Sequence, residues 1–170
     1  MIMRKSVILI SLSIMLGFCA CDKGKQSLVG DYSYKLSGEL ALTDSAGTVT
    51  YQLFHRNGQM NVLKDKYQKD RYIITMNEMN GGCYTATATR KGDSLVLAPH
   101  EFTTHLVTLS SLPFPAQEES SSIVYRVRAE GGGVLNDGML LLTETWSGSQ
   151  SGAPQVLLSG QKMTIIAEKN

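Results

Sequence analysis

From residue 31 to residue 43 the chain reads DYSYKLSGELALT, and apolar and polar positions alternate along it. Tyr32, Tyr34, Leu36, Leu40 and Leu42 share one parity, while Asp31, Ser33, Lys35, Ser37, Glu39 and Thr43 share the other. Successive side chains of a strand leave opposite faces, so this pattern predicts one long, half-buried β-strand. The apolar face must point inward, because the opposite choice would bury Asp31, Lys35 and Glu39 at a heavy desolvation cost. Gly38 interrupts the apolar face and predicts a bulge or a sharp coil.

Runs rich in threonine, tyrosine and valine follow at 48–56, 59–63, 71–76, 83–90, 94–98, 102–109, 123–130, 139–147 and 155–167, and none has a helical period. Between them, residues 44–47 (DSAG), 91–93 (KGD) and 136–138 (NDG) carry turn chemistry. Asn57-Gly58, flanked by two such runs, predicts a two-residue hairpin turn. Gly131-Gly132-Gly133 reads as a separator of two strands and lacks the following helix of a phosphate-binding loop. About eight to ten strands joined mostly by short turns predict an all-β fold. The expected architecture is an antiparallel meander closed or curled into a barrel, which removes its edges. A barrel of about eight strands holds side chains or one small ligand. The long connection 110–122, SSLPFPAQEESSS, reads as a surface loop. The alternative makes Phe114, between Pro113 and Pro115, a stiff apolar tip over an opening.

The start of the chain has a different pattern. Arg4 and Lys5 precede 7–17, VILISLSIMLG, an uncharged stretch shorter than the about 20 apolar residues that span a bilayer. A basic start, a short apolar run and a small-residue exit predict a signal peptide over 1–20. Small Ala20 before Cys21 suits cleavage at a lipidated cysteine, and Phe18 before Cys19 does not. Cys21 is therefore the expected lipidation site, the alternative being an ordinary signal peptide with incidental cysteines. Residues 21–28 then form a polar tether, and 29–170 a single barrel-like domain. Cys83 is the one remaining cysteine, which excludes a disulfide framework and predicts burial as a small hydrophobe.

Removal of 1–20 leaves 14 Lys and Arg against 15 Asp and Glu, so no basic excess marks a nucleic-acid partner. The charged run KDKYQKDR at 64–71 mixes both signs and reads as a solvated loop or strand edge. The segment HEFTTH at 100–105 spaces its histidines by five on a strand, where His100 and His105 face opposite ways. A zinc-protease motif needs a spacing of four on a helix, so no metal site is expected. Gly148-Ser149-Gln150-Ser151-Gly152 has glutamine where a nucleophile elbow has serine, and reads as a flexible turn. Glu101, Asp137 and Glu144 read as ordinary strand or turn acids. Trp146 reads as packing at a barrel end, with stacking on a ligand as the sharper alternative. No catalytic residue and no cofactor is expected.

Three stretches, GDYSYKLSGEL at 30–40, GGCYTATAT at 81–89 and LSGQKMTIIAEKN at 158–170, give the chain a likeness. It resembles small Bacteroidota-type envelope lipoproteins with a lipocalin-like or calycin-like all-β domain, over nearly everything after Cys21. The resemblance implies a cell-envelope protein, lipid-anchored to the outer membrane, and carries across no active-site residue. Relatives at the cell surface often bear an acidic run after the cysteine. Here DKGKQ offers only Asp22, which leaves the surface and periplasmic faces both open. The expected function is a non-enzymatic binding module for an apolar small molecule or lipid. Tyr32, Tyr34, Leu36, Leu40 and Leu42 would line its wall, with tyrosine hydroxyls as polar handles. The alternative is a filled barrel acting as a protein–protein accessory subunit in envelope assembly or nutrient capture.

Overall fold

The alternation of 31–43 becomes β1 (Gly30–Thr43), with Tyr32, Tyr34, Leu36 and Leu40 buried and Asp31, Ser33, Lys35 and Glu39 exposed. The computed structural model describes residues 27–79, 82–108 and 121–170. The signal peptide, Cys19, Cys21, most of the tether and Phe114 with its neighbours lie outside the described residues. After β1 come β2 (Val49–Lys64), β3 (Arg71–Glu78), β4 (Cys83–Lys91), β5 (Ser94–Thr108), β6 (Ser121–Asn136), β7 (Met139–Gln150) and β8 (Ala153–Lys169). Each strand pairs antiparallel with the next, and β8 returns to β1, so eight strands close into a barrel. This is the expected all-β meander, and its closure leaves the sheet with no terminal edge strand.

Local chemistry sets the turns. The Asp44 carboxylate accepts the backbone N–H groups of Ala46 at 2.9 Å and Thr48 at 2.8 Å, and Gly47 follows at φ +84°. Asp137 and Gly138 lie at φ +48° and +80°, the pair of positive angles that a type I′ hairpin requires. The β1–β8 register shifts between Ser37 and Ala41, the bulge that Gly38 predicted.

Asn57-Gly58 is not a turn. Both residues lie inside β2, where Gly58 pairs with Tyr34 on one side and Glu78 on the other. A Cβ at Gly58 would collide with the Asn77 carbonyl oxygen and stand 2.9 Å from Cε1 of Tyr34. Here glycine permits a close approach of backbones, which sequence alone does not separate from turn formation. The same reason corrects Gly131-Gly132-Gly133. These residues continue β6, and the Leu141 carbonyl oxygen occupies the space a Cβ on Gly133 would need. Likewise the runs predicted at 94–98 and from 102 onward are one strand, β5, Ser94–Thr108, whose register against β6 shifts between Leu97 and His100. Pro99, which has no N–H to give a ladder, falls in that shift. Gly148 to Gln150 belong to β7, leaving only Ser151 and Gly152 as the turn. Cys83 is exposed rather than buried, because Tyr84, Ala86 and Ala88 take the inward parity of β4.

One end of the barrel is shut. Leu28, Tyr32, Val62, Ile74, Leu140 and Ala167 are at most 1 % exposed. Tyr32 donates its hydroxyl hydrogen to the Leu28 carbonyl at 2.8 Å. Lys169 Nζ donates to the carbonyls of Ser27 at 3.1 Å and Val29 at 2.8 Å, which pins the incoming chain across this end.

Candidate functional site

Inward parity does not end where the packed core ends. On β2 the positions Thr50, Gln52 and Phe54 follow one another on the inner face, and on β1 Leu42 follows Leu40. Phe54 and Leu40 are buried, whereas Thr50, Gln52 and Leu42 reach into an open cavity of about 590 Å³ at the end of the barrel opposite Leu28. Leu42, Ile123 and Val156, packed on the core below, give it an apolar wall. Thr50, Gln52, Tyr125 and Gln150 add neutral hydrogen-bonding groups. This volume lies within the about 300–1,000 Å³ of small-molecule sites. Next to Gln52 along the inner face of β2, Phe54 belongs to an aromatic part of the packed core. Trp146 meets Phe54 and Phe102 edge to face, with ring centroids 5.4 and 5.0 Å apart.

Asp44 is the one charged residue of the lining among the described residues, and its carboxylate is committed to the turn amides, chiefly that of Thr48, which hold its pKa below the ordinary value. Arg56, also inward on β2, stands over the Phe54 ring at 4.5 Å. It donates to the carbonyls of His55 at 2.9 Å and His105 at 2.7 Å and lies 3.6 Å from Glu78. Burial raises the pKa of Glu78 against the opposing pull of Arg56.

A polar pair lies within the core beside Trp146. Glu144 has no exposed surface, which corrects its reading as an ordinary strand acid. Trp146 Nε1 donates to its Oε2 at 2.8 Å, and His100 Nε2 stands 3.6 Å from its Oε1, longer than a hydrogen bond. His100 Nδ1 lies 3.1 Å from the Ala98 carbonyl, an acceptor only, so this nitrogen carries a hydrogen. Burial pushes the Glu144 pKa up, while the Trp146 hydrogen bond and His100 pull it down. Glu144 Oε1 and His100 Nε2 thus face each other in the interior, each without a hydrogen-bond partner among the described residues. The hydroxyls of Tyr34 and Tyr84 are enclosed nearby without a hydrogen-bond partner among the described residues. Burial, followed by the negative charge of Glu144, holds the Tyr84 phenol well above its ordinary pKa.

His100 sits where the wall is weakest. The β4–β5 ladder has four rungs, from Ala88–Leu97 to Lys91–Ser94. Beyond it the strands meet through side chains: Tyr84 stacks on Phe102 at 4.4 Å and on His100 at 5.9 Å. Outside this seam runs a groove of about 520 Å³ that Cys83, Thr85, Glu101 and Arg126 help to line. His105 faces outward, with Nδ1 3.1 Å from the Ser122 hydroxyl.

The residues singled out from sequence divide by depth. Tyr32, Tyr34, Leu36 and Leu40 lie in the packed interior, at 0–2 % exposure, and Leu42 lines the cavity. Trp146 packs under the mouth. Thr50, Gln52 and Tyr125 have no role in the sequence reading, which puts Gln150 in a flexible turn and makes Glu144 an ordinary acid, although parity carries a signal for them. Glu144 shares its parity with Leu140, Leu142 and Trp146, as Gln52 does with Phe54 and Met60. Among the described residues no group of three or more His, Cys, Asp or Glu side chains could hold a metal ion. No protein-family model matches the chain, and no curated protein is significantly similar to it in sequence.

Proposed function

We propose that this protein is a non-enzymatic, lipid-anchored module of the cell envelope that binds an amphipathic small molecule or lipid in the open end of its barrel. The observation that carries the reading is the cavity of about 590 Å³ with Leu42, Ile123 and Val156 on its wall, set on an otherwise packed barrel. The apolar wall supplies the burial, and Thr50, Gln52, Tyr125 and Gln150 fix orientation. Cys21 as the lipid-bearing residue and the outer membrane as the location belong to the same proposal, resting on the Ala20-Cys21 pattern and the family resemblance.

Mass spectrometry of material extracted from the natively purified protein tests the reading, together with uptake of a fluorescent amphiphile by Val156→Trp. The indole would fill the mouth without entering the core. We expect a co-purifying amphiphile, and uptake lost in the variant while its melting temperature is kept. An empty extract with no uptake by the parent protein would refute the reading. That result would favour the accessory-subunit role, which draws support from Tyr51 and Leu53, 68 % and 70 % exposed on the outer face of β2.

A further inference from the structure

The mouth differs from an ordinary fatty-acid site in its charge. Among the described residues no lysine, arginine or histidine lines the cavity, and the one charged group there is the Asp44 carboxylate. Asp44 bears negative charge to low pH because the turn amides of Thr48 and Ala46 stabilise it. The nearest inward cation along β2, Arg56, is held by two carbonyls and Glu78 over the Phe54 ring. A carboxylate or phosphate entering this cavity would meet no counter-charge among the described residues, and burial of an unpaired charge is opposed.

The neutral groups fit a different head. Gln52 and Gln150, from strands on separate parts of the ring, each present an amide that both donates and accepts. Thr50 and Tyr125 add hydroxyls. Vicinal hydroxyls, each donor and acceptor together, match such a set. Leu42, Ile123 and Val156 leave one side apolar for an attached alkyl group.

Resting on the binding reading above, we infer that the mouth takes an amphiphile with an uncharged, hydroxyl-rich head, of the chemical class of an alkyl glycoside, and discriminates against carboxylates and phosphates. Selectivity arises from an absent counter-charge as much as from hydrogen bonds formed.

Calorimetric titration of the mature chain at neutral pH tests this, with n-octyl glucoside, n-octanoate and n-octyl phosphate below their micellar concentrations. The glucoside should bind at least about tenfold tighter than either anion, the size of effect expected when a polar site meets a mismatched group. Gln52→Ala should weaken the glucoside about fivefold or more while leaving octanoate unchanged. Gln150→Lys, at the rim where folding is least at risk, should reverse the order by supplying a cation. Equal or tighter octanoate binding by the parent protein would overturn the neutral-head inference and leave the amphiphile reading standing. Failure of every probe, with an empty native extract, would overturn both.

Discussion

Glu144 shows how one residue can set the behaviour of a core. Its carboxyl has no exposed surface and one hydrogen bond, from Trp146. Burial holds its proton in the native state above the ordinary value of 4.5, and the unfolded chain releases that proton near 4.5. The native state therefore binds more protons between 4.5 and the raised folded value. Stability from this group is fully present below 4.5 and is lost as pH rises through the folded pKa. Glu144→Gln keeps the shape and an oxygen for Trp146 but cannot ionise. Unfolding free energies of parent and variant, measured by urea titration from pH 4 to 8, should diverge in favour of the variant as pH rises. The divergence is about 1.4 kcal/mol for each pH unit by which the pKa is raised. Parallel curves would mean that Glu144 ionises in the native state as it does in the unfolded chain, and would refute the raised pKa.

Among the strands, the divided behaviour of glycine and the short β4–β5 ladder govern the outcome. If Asn57-Gly58 were a type I′ turn, asparagine would be well tolerated at Gly58, since it accepts positive φ. In β2 any Cβ there meets the Asn77 carbonyl, so Gly58→Asn should cost about 1–3 kcal/mol by overpacking. An unchanged denaturation midpoint would restore the turn. At the β4–β5 seam, aromatic stacking replaces rungs beyond Ala88 and Leu97. Stacking does not satisfy backbone amides. In hydrogen exchange, alternate amides of residues 83–87 and 100–104, those turned toward the seam, should exchange faster than amides of 140–144 in the β7–β8 ladder. Uniform protection across both regions would show that backbone bonds cross the seam.

The barrel as a whole has two unlike ends. Ser27 and Leu28 enter at the end closed by Lys169, and the cavity lies at the other, beyond Leu42. A fourteen-residue β1 separates them, roughly 30–35 Å along the axis for a strand of ordinary rise and barrel tilt. A lipid on Cys21 would thus hold the closed end toward the membrane and turn the mouth to the aqueous side, suited to receiving a ligand from solution or from a partner. Cys21→Ala should move the protein from the membrane to the soluble fraction, and Cys19→Ala should not, as read by fractionation and by labelling with an alkyne fatty acid. A Cys21→Ala protein that stays membrane-bound and acylated would refute the anchor.

Alternation in 31–43 was sufficient to determine β1 and its inward face, because on a strand parity alone assigns each side chain to one face and water penalises the wrong choice. Turn chemistry at Asp44 and at Asp137-Gly138 was equally local and equally legible. The roles of Asn57-Gly58 and Gly131-Gly132-Gly133 were not, since a glycine that makes a turn and one that admits a neighbouring carbonyl look alike until the neighbour is in place. Parity sets Gln52 on one face with Phe54 and Glu144 on one face with Trp146 but leaves their depth undetermined. Depth follows from the stagger of strands around the closed ring, a long-range property. That stagger sets Leu40 in the core and Leu42 in the mouth two residues later, and brings His100 against Glu144 across the interior. The tertiary structure alone decided where the packed core stops and the cavity begins.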